Sequence, residues 1–263
     1  MTAPKLSRPK LSKAPLTLSL CEVRFSAIRK MAGFIPRLQE LAERHGYQLD
    51  VSEKVQEFTF GPGGAQAQTI DRWEFANVAR TRSVIITEQF AVYQTTKYEA
   101  FDDFLPEVLR LMDSIVEAGA KPIITRVGLR YVDAIVPMAP RTWQQYLNPS
   151  LHGASSPVLK GALIAHHTIA DTNHGRMLVR VTQNRQGMLV PIEMGQMNLL
   201  PQRESPGPGP VVTLMDFDHF KQWPKDAKPY QANELSALLW GLKDDLYDVF
   251  SKFVTPEALR EWQ

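Results

Sequence analysis

Alternating apolar and polar residues predict that the fold begins with a strand over Leu16 to Phe25. Its leucines alternate with threonine, serine and cysteine, so one face of the strand is apolar. A helix is predicted next, because apolar residues recur at helical spacing from Ile35 to Ala42. Pro36 is tolerated there only in the first turn, and Gly46 is placed to end the helix.

Four short extended runs and a second helix follow. Turn-forming residues separate the runs, at Gly61 to Gly64 and at Ala79 to Ser83. The helix, Ala100 to Ala118, carries one continuous apolar face that must be buried against another part of the protein. The predicted runs are Gln56 to Phe60, Trp73 to Ala79, Ser83 to Glu88 and Ala91 to Thr95.

The second half of the chain shows the same order with a shortened first helix. A long strand, Ile123 to Val136, precedes a short helix over Thr142 to Leu147. Pro201 to Pro210 is predicted to be a mobile loop because it is rich in proline and glycine. An amphipathic helix, Ala232 to Val254, comes last, with a further turn at Glu257 to Trp262. The extended runs of this half are Gly161 to Ala170, Arg176 to Gln183, Met188 to Met194 and Val211 to Asp218.

This order of elements indicates an internal duplication. The predicted fold is α+β, with two tandem β-α-β4-α repeats that form curved antiparallel sheet and pack their helices on one face. We expect a flexible arm over residues 1–14, a first repeat over 15–120 and a second over 121–263. The apolar positions of the two long helices match at a constant offset, but any two amphipathic helices match in part. The shared order of elements is the stronger argument.

Length and composition predict a soluble protein with an ample core. Of the 263 residues, 44% are hydrophobic, so the core forms without support from a metal or a disulfide. The single cysteine, Cys21, lies in an apolar run and is expected to be a buried thiol in a reducing compartment. No apolar run is long enough to cross a bilayer, and the N-terminus lacks the apolar core of a secretory signal. We therefore expect a cytoplasmic protein with no membrane partner.

The charge balance gives no general attraction for nucleic acid. The sequence contains 30 basic and 28 acidic residues, for a net charge of +2. This balance still permits a local basic patch. A basic cluster, either solubilising or specific, lies in the N-terminal arm at Lys5, Arg8, Lys10 and Lys13.

The strand around Arg130 is the most unusual segment of the sequence. Alternation puts Arg126 and Arg130 on one face, with a glycine between them, and Tyr131 on the other face. Two such arginines suit a carboxylate or phosphate ligand, which they would hold by forked hydrogen bonds. The alternative is that they pair with carboxylates of neighbouring elements, for instance Glu22 or Glu88.

The first predicted strand carries a matching segment. Val23-Arg24-Phe25 and Leu129-Arg130-Tyr131 both read aliphatic, arginine, aromatic. If a twofold axis relates the two repeats, Arg24 and Arg130 occupy equivalent positions on the sheet. The candidate binding residues are therefore Arg24, Arg126, Arg130 and Tyr131.

No catalytic residue, metal site or cofactor is predicted. His166 and His167 are adjacent in a strand and point to opposite faces, whereas Asp171 and His174 fall in a turn, so these four do not converge on one ion. The sequence has no zinc-protease, nucleophile-elbow, Walker A or dinucleotide-binding motif. We therefore favour a protein that is not an enzyme.

Several short segments carry a family resemblance. Arg126 to Asp133, the strand from Pro15 that ends in Glu22-Val23-Arg24-Phe25, Trp73-Glu74-Phe75 and Tyr98 to Phe101 resemble a sporadically distributed, functionally uncharacterised family of bacterial proteins of about this length. The resemblance implies no catalytic residues. In order of elements alone, the chain is similar to the saddle of the TATA-binding protein, but it lacks that protein's basicity and recognisable phenylalanine wedges.

Three functions follow as hypotheses. The first is a non-enzymatic binding or adaptor protein that uses an open sheet face to engage a protein partner or another copy of itself. The second is a nucleic-acid-binding protein that uses the same face together with the basic arm. The third is an enzyme whose site has no recognisable motif, which requires titratable groups that converge in a deep pocket.

Overall fold

The computed structural model describes residues 11–61, 64–154, 156, 158–194, 197–223 and 226–263, with the backbone alone for 57–61 and 64–68. It confirms the predicted α+β class, because the described chain forms one large, open antiparallel sheet with four α-helices. Lys5, Arg8 and Lys10 of the predicted basic arm, and the centre of the predicted turn at Gly61 to Gly64, lie outside the described residues.

Strands and helices follow one another in an order close to the predicted one. The helices are α1 (Met31–Arg44), α2 (Phe101–Glu117), α3 (Ala232–Phe253) and α4 (Pro256–Trp262). The strands are β1 (Leu16–Phe25), β2 (Leu49–Asp50), β3 (Glu53–Gly61), β4 (Gly64–Ala76), β5 (Arg82–Ile86), β6 (Phe90–Thr95), β7 (Ile123–Ile135), β8 (Ala165–Asp171), β9 (Arg176–Asn184), β10 (Val212–Gln222) and β11 (Lys228–Pro229).

The two long strands β1 and β7 lie side by side in the middle of the sheet. The sheet order is β2-β4-β5-β6-β1-β7-β10-β9-β8, with β3 paired to β4 and β11 paired to β7. Next to β1 the order β6, β5, β4 runs backwards along the chain, and next to β7 the order β10, β9, β8 does the same. The internal duplication itself stays a prediction.

The helices cover one face of this sheet and form the main core with it. Leu129 of β7, Met112 of α2 and Leu239 of α3 are all fully buried in this core. Each such side chain stabilises the fold by about 1.5–3 kcal/mol relative to exposure. Cys21 is also buried there, as predicted, and its burial raises the pKa of its thiol. None of the described helices is both long and apolar enough to span a bilayer.

Three local predictions are corrected. Helix α1 begins at Met31, so Pro36 lies inside the helix and not in its first turn. The short helix predicted over Thr142 to Leu147 is a 3₁₀ turn at Trp143–Gln145. The extended run predicted over Met188 to Met194 is wrong: this stretch contains a 3₁₀ turn at Ile192–Met194, preceded by a proline that has no N–H for a strand ladder.

The long connection between β9 and β10, of which residues 185–194 and 197–211 are described, packs on the sheet face opposite the helices, and we call these described residues the crossing segment. Leu189 of this segment packs with Ala134 and Leu214. Further along, Asn198 donates to the carboxylate of Glu74 on β4 at 2.9 Å. The segment therefore reaches from the β9 side of the sheet to the β4 side and covers one end of this face. The predicted loop at Pro201 to Pro210 belongs to it.

Candidate functional site

The structure brings three of the four predicted binding residues together on the face opposite the helices. Arg24 of β1 lies directly across from Arg126 of β7, and Arg130 lies across from Leu20. Glu22 faces Gly128, midway between these two pairs. All these side chains share one face, because residues two apart in a strand point the same way.

Glu22 joins the two arginines that face each other. Its carboxylate accepts two hydrogen bonds from Arg24, at 2.8 and 3.0 Å, and one from Arg126 at 2.5 Å. The Glu22 and Arg126 side chains are 17% and 18% exposed, so this bridge is largely shielded from water. Arg126 also reaches Asp218 of β10 at 3.3 Å. Of the two acids predicted as partners, Glu22 therefore takes this role.

Arg130 belongs to a second, deeper group of charges. Its Nε and one terminal nitrogen each donate to the Asp216 carboxylate at 2.7 Å, in a forked geometry. Arg180 of β9 binds the same carboxylate at 2.6 Å, and Glu193 of the crossing segment contacts both arginines, at 3.2 and 3.3 Å. The Asp216 side chain is only 3% exposed. The two guanidinium groups compensate the charge of this buried carboxylate.

Together these side chains form a charge-balanced row across four strands, which we call the charged ladder. Four arginines match four carboxylates, and each arginine has a carboxylate within 3.3 Å. Burial acts to lower the pKa of Arg130, but its bonds with Asp216 outweigh this effect and raise that pKa. Burial raises the pKa of the Asp218 carboxyl. The members of the ladder are Glu22, Arg24, Arg126, Arg130, Arg180, Glu193, Asp216 and Asp218.

Gly128 makes room for this arrangement. A Cβ atom at this position would lie 2.9 Å from a terminal nitrogen of Arg126, so the guanidinium group folds directly over the glycine. The same guanidinium lies 4.4 Å from the ring centre of Phe220, next to Gly128 on β10. Arg24 lies over Phe90 in the same way, at 5.3 Å. Each of these two guanidinium groups therefore has a carboxylate and an aromatic ring as neighbours.

Tyr131, the fourth predicted residue, lies on the other face. Its hydroxyl is 3.3 Å from that of Tyr98, and the two rings meet edge to face. Burial raises the pKa of Tyr131 well above its ordinary value. Tyr131 therefore belongs to the helix-covered core and not to the charged ladder.

Sequence reasoning missed the acids and the arginine outside the first two strands. Asp216 and Asp218 are two apart in the strand predicted over Val211 to Asp218, a spacing that places two carboxylates on one face. Arg180 lies across from Asp216 on β9. The spacing of the two aspartates could have been recognised in the sequence. The pairing of their strand with that of Arg130 could not have been recognised, because a single sequence does not reveal strand neighbours.

The histidines that the sequence analysis weighed as metal ligands lie in different surroundings. His166 packs against Phe253 of α3 on the helix side, whereas His167 lies across from Arg180 on the ladder side. His174 contacts Asp245 of α3 at 3.0 Å. Within the ranges that the structure describes, no three histidine, cysteine or acidic side chains are placed to hold a metal ion.

A buried hydroxyl–imidazole pair is the nearest approach to a nucleophile and base. His219 lies 2.9 Å from the Thr172 hydroxyl and, through its other nitrogen, 2.9 Å from the Leu242 carbonyl. Burial lowers the pKa of this histidine. The Thr172 oxygen also accepts from the backbone N–H groups of His174 and Gly175. The pair therefore links the turn that contains Thr172 to α3, and His219 is completely buried beneath this helix.

A hollow of about 530 Å³ lies between α2 and the ends of β5 and β6. It is open to solvent, and its central carboxylate, Glu107, bonds to Tyr47, Arg82 and Arg110. Burial raises the pKa of Tyr47 and that of Tyr93, so neither hydroxyl exchanges protons near neutral pH. Glu107 is thus held in charge pairs at this hollow.

No protein-family model matches the chain, and neither a search of curated proteins nor a search of solved structures finds a match. The resemblances to a bacterial family and to the TATA-binding-protein saddle therefore stay predictions.

Replacing Glu22 by alanine should destabilise the protein strongly. The change leaves two guanidinium groups facing each other without their shared carboxylate, which we expect to lower the free energy of unfolding by about 2–4 kcal/mol. The control is Glu40→Ala, which removes an acid that is 60% exposed and pairs with Arg37; it should cost less than about 1 kcal/mol. Urea titration at pH 7 measures both, and equal losses would refute the role given to Glu22.

Gly128→Ala should lower the free energy of unfolding only when Arg126 is present. The added methyl group displaces the guanidinium from its place over the strand, with an expected loss of about 1–2 kcal/mol. In an Arg126→Ala background the same change should be neutral or stabilising, because alanine restricts the unfolded chain more than glycine does. A double-mutant cycle by urea titration measures this coupling. Additive effects would show that Gly128 does not serve Arg126.

Asp133→Asn should change the pH dependence of stability. Burial raises the pKa of Asp133 to about 7, and the charge of Arg203 opposes this shift. The unfolded chain keeps the ordinary, lower pKa, so the wild type gains stability as the pH falls from above 7 towards 4. The variant lacks this gain, at most about 1.4 kcal/mol per pH unit. Thermal unfolding of both proteins between pH 4 and 8 measures the difference between their stabilities, from which the contributions of the other titratable groups cancel. Parallel curves of stability against pH would contradict the raised pKa of Asp133.

Proposed function

We propose that the protein is a non-enzymatic binding protein that engages a protein partner through the part of the sheet face left open by the crossing segment. This part, which we call the uncovered patch, consists of Arg24, Phe90, Arg126 and Phe220; of its two arginines, Arg24 is 42% exposed and Arg126 is 18% exposed. The observation that carries the proposal is the placement of two paired guanidinium groups over two half-buried phenylalanine rings. Arginine and aromatic side chains are enriched at the centres of protein interfaces.

The pairing within the patch supports a protein partner. Arg24 is 42% exposed, yet Glu22 holds its guanidinium in a fixed position. Ordering a free arginine on binding costs about 0.5–1.5 kcal/mol, and this arginine is ordered beforehand. Because the ladder is neutral and its charges are bonded to one another, a polar protein surface covers it without leaving a charge unpaired.

The same balance disfavours nucleic acid on this face. A phosphate backbone binds chiefly through basic side chains that release condensed counterions. Here four carboxylates lie among the four arginines, so an approaching polyanion meets as much negative charge as positive. The enzyme hypothesis finds no support in the charged ladder, because its arginines and carboxylates are already bonded to one another.

We further propose that the two halves are tandem repeats related by a twofold axis near Glu22 and Gly128. Arg24 and Arg130 each lie two residues from that pair, in opposite directions, which supports such an axis. The compartment is taken as the bacterial cytoplasm, which suits the single buried thiol.

Arg24→Ala is the variant that tests the proposal. Arg37→Ala is a matched control, because Arg37 is 39% exposed and paired with acids as Arg24 is, but lies on α1. With a partner isolated by affinity purification from the native host, we expect Arg24→Ala to weaken binding at least about tenfold, or 1.4 kcal/mol. Arg37→Ala should change it less than about twofold. Calorimetric titration measures both affinities.

Two outcomes would contradict the proposal. One is a partner that both variants bind as tightly as the wild type does, which would remove the uncovered patch from the interface. The other is tight binding of a DNA or RNA oligonucleotide that weakens steeply with salt and is lost in Arg24→Ala, which would favour the nucleic-acid hypothesis.

A further inference from the structure

Strand β8 forms one edge of the sheet. It pairs with β9 over all seven of its residues without a register shift, and no described strand lies on its other side. A strand in this position presents a row of backbone N–H and C=O groups that another strand can pair with.

The hydrogen bonds that flank β8 show which of its residues point outwards. Thr172 N–H donates to the Gly175 carbonyl, and Gln183 N–H donates to the Ile164 carbonyl. Residues 164 and 172 therefore bond towards β9, and so do the residues between them at every second position. The backbone groups that point away from β9 are those of Ala165, His167, Ile169 and Asp171.

This edge lacks the features that usually protect an edge strand. Lysine, proline and bulges are the common ones. The sequence of β8, AHHTIAD, contains neither lysine nor proline, and its pairing with β9 is regular. Its one acid, Asp171, is already bonded to Arg176 of β9 at 2.8 Å.

Exposed apolar side chains are frequent in β8 and in the chain just before it. Ile169 is 69% exposed, and the chain that leads into β8 exposes Val158, Leu159 and Leu163 by 82, 50 and 44%. Four of the nine large apolar residues exposed in the described ranges thus fall within twelve residues of sequence. Apolar groups concentrated in this way mark an interaction surface.

We propose that β8 is a self-association edge, at which two copies of the chain pair their β8 strands antiparallel about a twofold axis at Thr168. This register sets Ala165 against Asp171 of the second copy, and His167 against Ile169. All four outward-facing residues of each copy are then bonded, which provides about eight interstrand hydrogen bonds. The inference is independent of the uncovered patch, which lies on a face and not at this edge.

A second copy suits this edge because the symmetric register avoids repulsion. The two Asp171 side chains lie about 20 Å apart along the pair, each across from an alanine. Each Ile169 gains an imidazole neighbour on the ladder side of the sheet. The same segment therefore serves as both partners, as a twofold interface requires.

The first test measures the mass of the full chain by light scattering and sedimentation over a range of concentrations. We expect a dimer in the wild type. Ile169→Pro removes an N–H that points away from β9, so it should raise the dimer dissociation constant at least about tenfold and leave the β8–β9 ladder bonded. Ile169→Lys should do the same by charging the edge. Val78→Lys is the control, because Val78 is also 69% exposed but lies elsewhere.

The second test fixes the register and does not depend on a destabilising change. Cys21 is buried, so an added cysteine is the accessible thiol. Thr168→Cys should form an intermolecular disulfide on mild oxidation, because residues on the twofold axis bring their Cβ atoms within about 5.5 Å. Ala165→Cys should not, because the two positions lie about 20 Å apart along the pair.

The proposal is supported if a dimer forms, if both Ile169 variants weaken it while Val78→Lys does not, and if Thr168→Cys crosslinks. A wild-type chain that stays monomeric up to millimolar concentration would overturn it. A dimer that persists in Ile169→Pro, with unchanged thermal stability and without the Thr168→Cys crosslink, would also overturn it. So would a β8 edge that pairs only with a peptide of another protein.

Discussion

The central pairing of β1 with β7 sets two arginines directly across from each other, and this constraint governs the face around them. Like charges at facing positions of an antiparallel pair repel. Arg24 and Arg126 nevertheless face each other, because Glu22 lies two residues away on the same face and bonds to both. The opposite position is Gly128, and a side chain there would fill the space that the Arg126 guanidinium occupies. The Glu22 carboxylate and the absence of a side chain at Gly128 thus allow the two arginines to face each other in the central strand pair.

The same balance of charge continues into the deeper part of the face, where the chain covers itself. Glu193 of the crossing segment binds Arg130 and Arg180, and Asn198 binds Glu74, which is fully buried. Polar side chains of a loop thus complete the hydrogen bonding of charged groups on the sheet. The uncovered patch offers a partner the same kind of surface, since its arginines and rings are already held in place. The covered end is therefore an intramolecular example of the contact that we propose for the open end.

Regular elements could be predicted from the sequence, whereas long-range neighbours could not. Helices α2 and α3 follow from apolar spacing alone, and alternation places Arg126 and Arg130 on one face. The start of α1 was missed, because no side chain caps it and Gly33, a poor helix former, lies in its first turn. The stretch at Met188 to Met194 has strand-like residues but packs as part of a loop across the sheet. Which strands are neighbours, and hence that Asp216 meets Arg130, depends on pairings between distant parts of the chain.

The uncovered patch and the β8 edge rely on different chemistry, and this difference distinguishes the two proposals. The uncovered patch would recognise a partner through side chains, so its specificity depends on Arg24, Phe90 and their neighbours. The edge at β8 would pair through backbone groups, which every extended chain has, so its specificity must come from register and from the exposed apolar residues. A dimer formed at β8 leaves the central strands β7 and β1, three and four strands away in the sheet order, uncovered. Two copies would then present two patches on one continuous sheet, and a partner with two matching sites would bind more tightly than either patch alone allows.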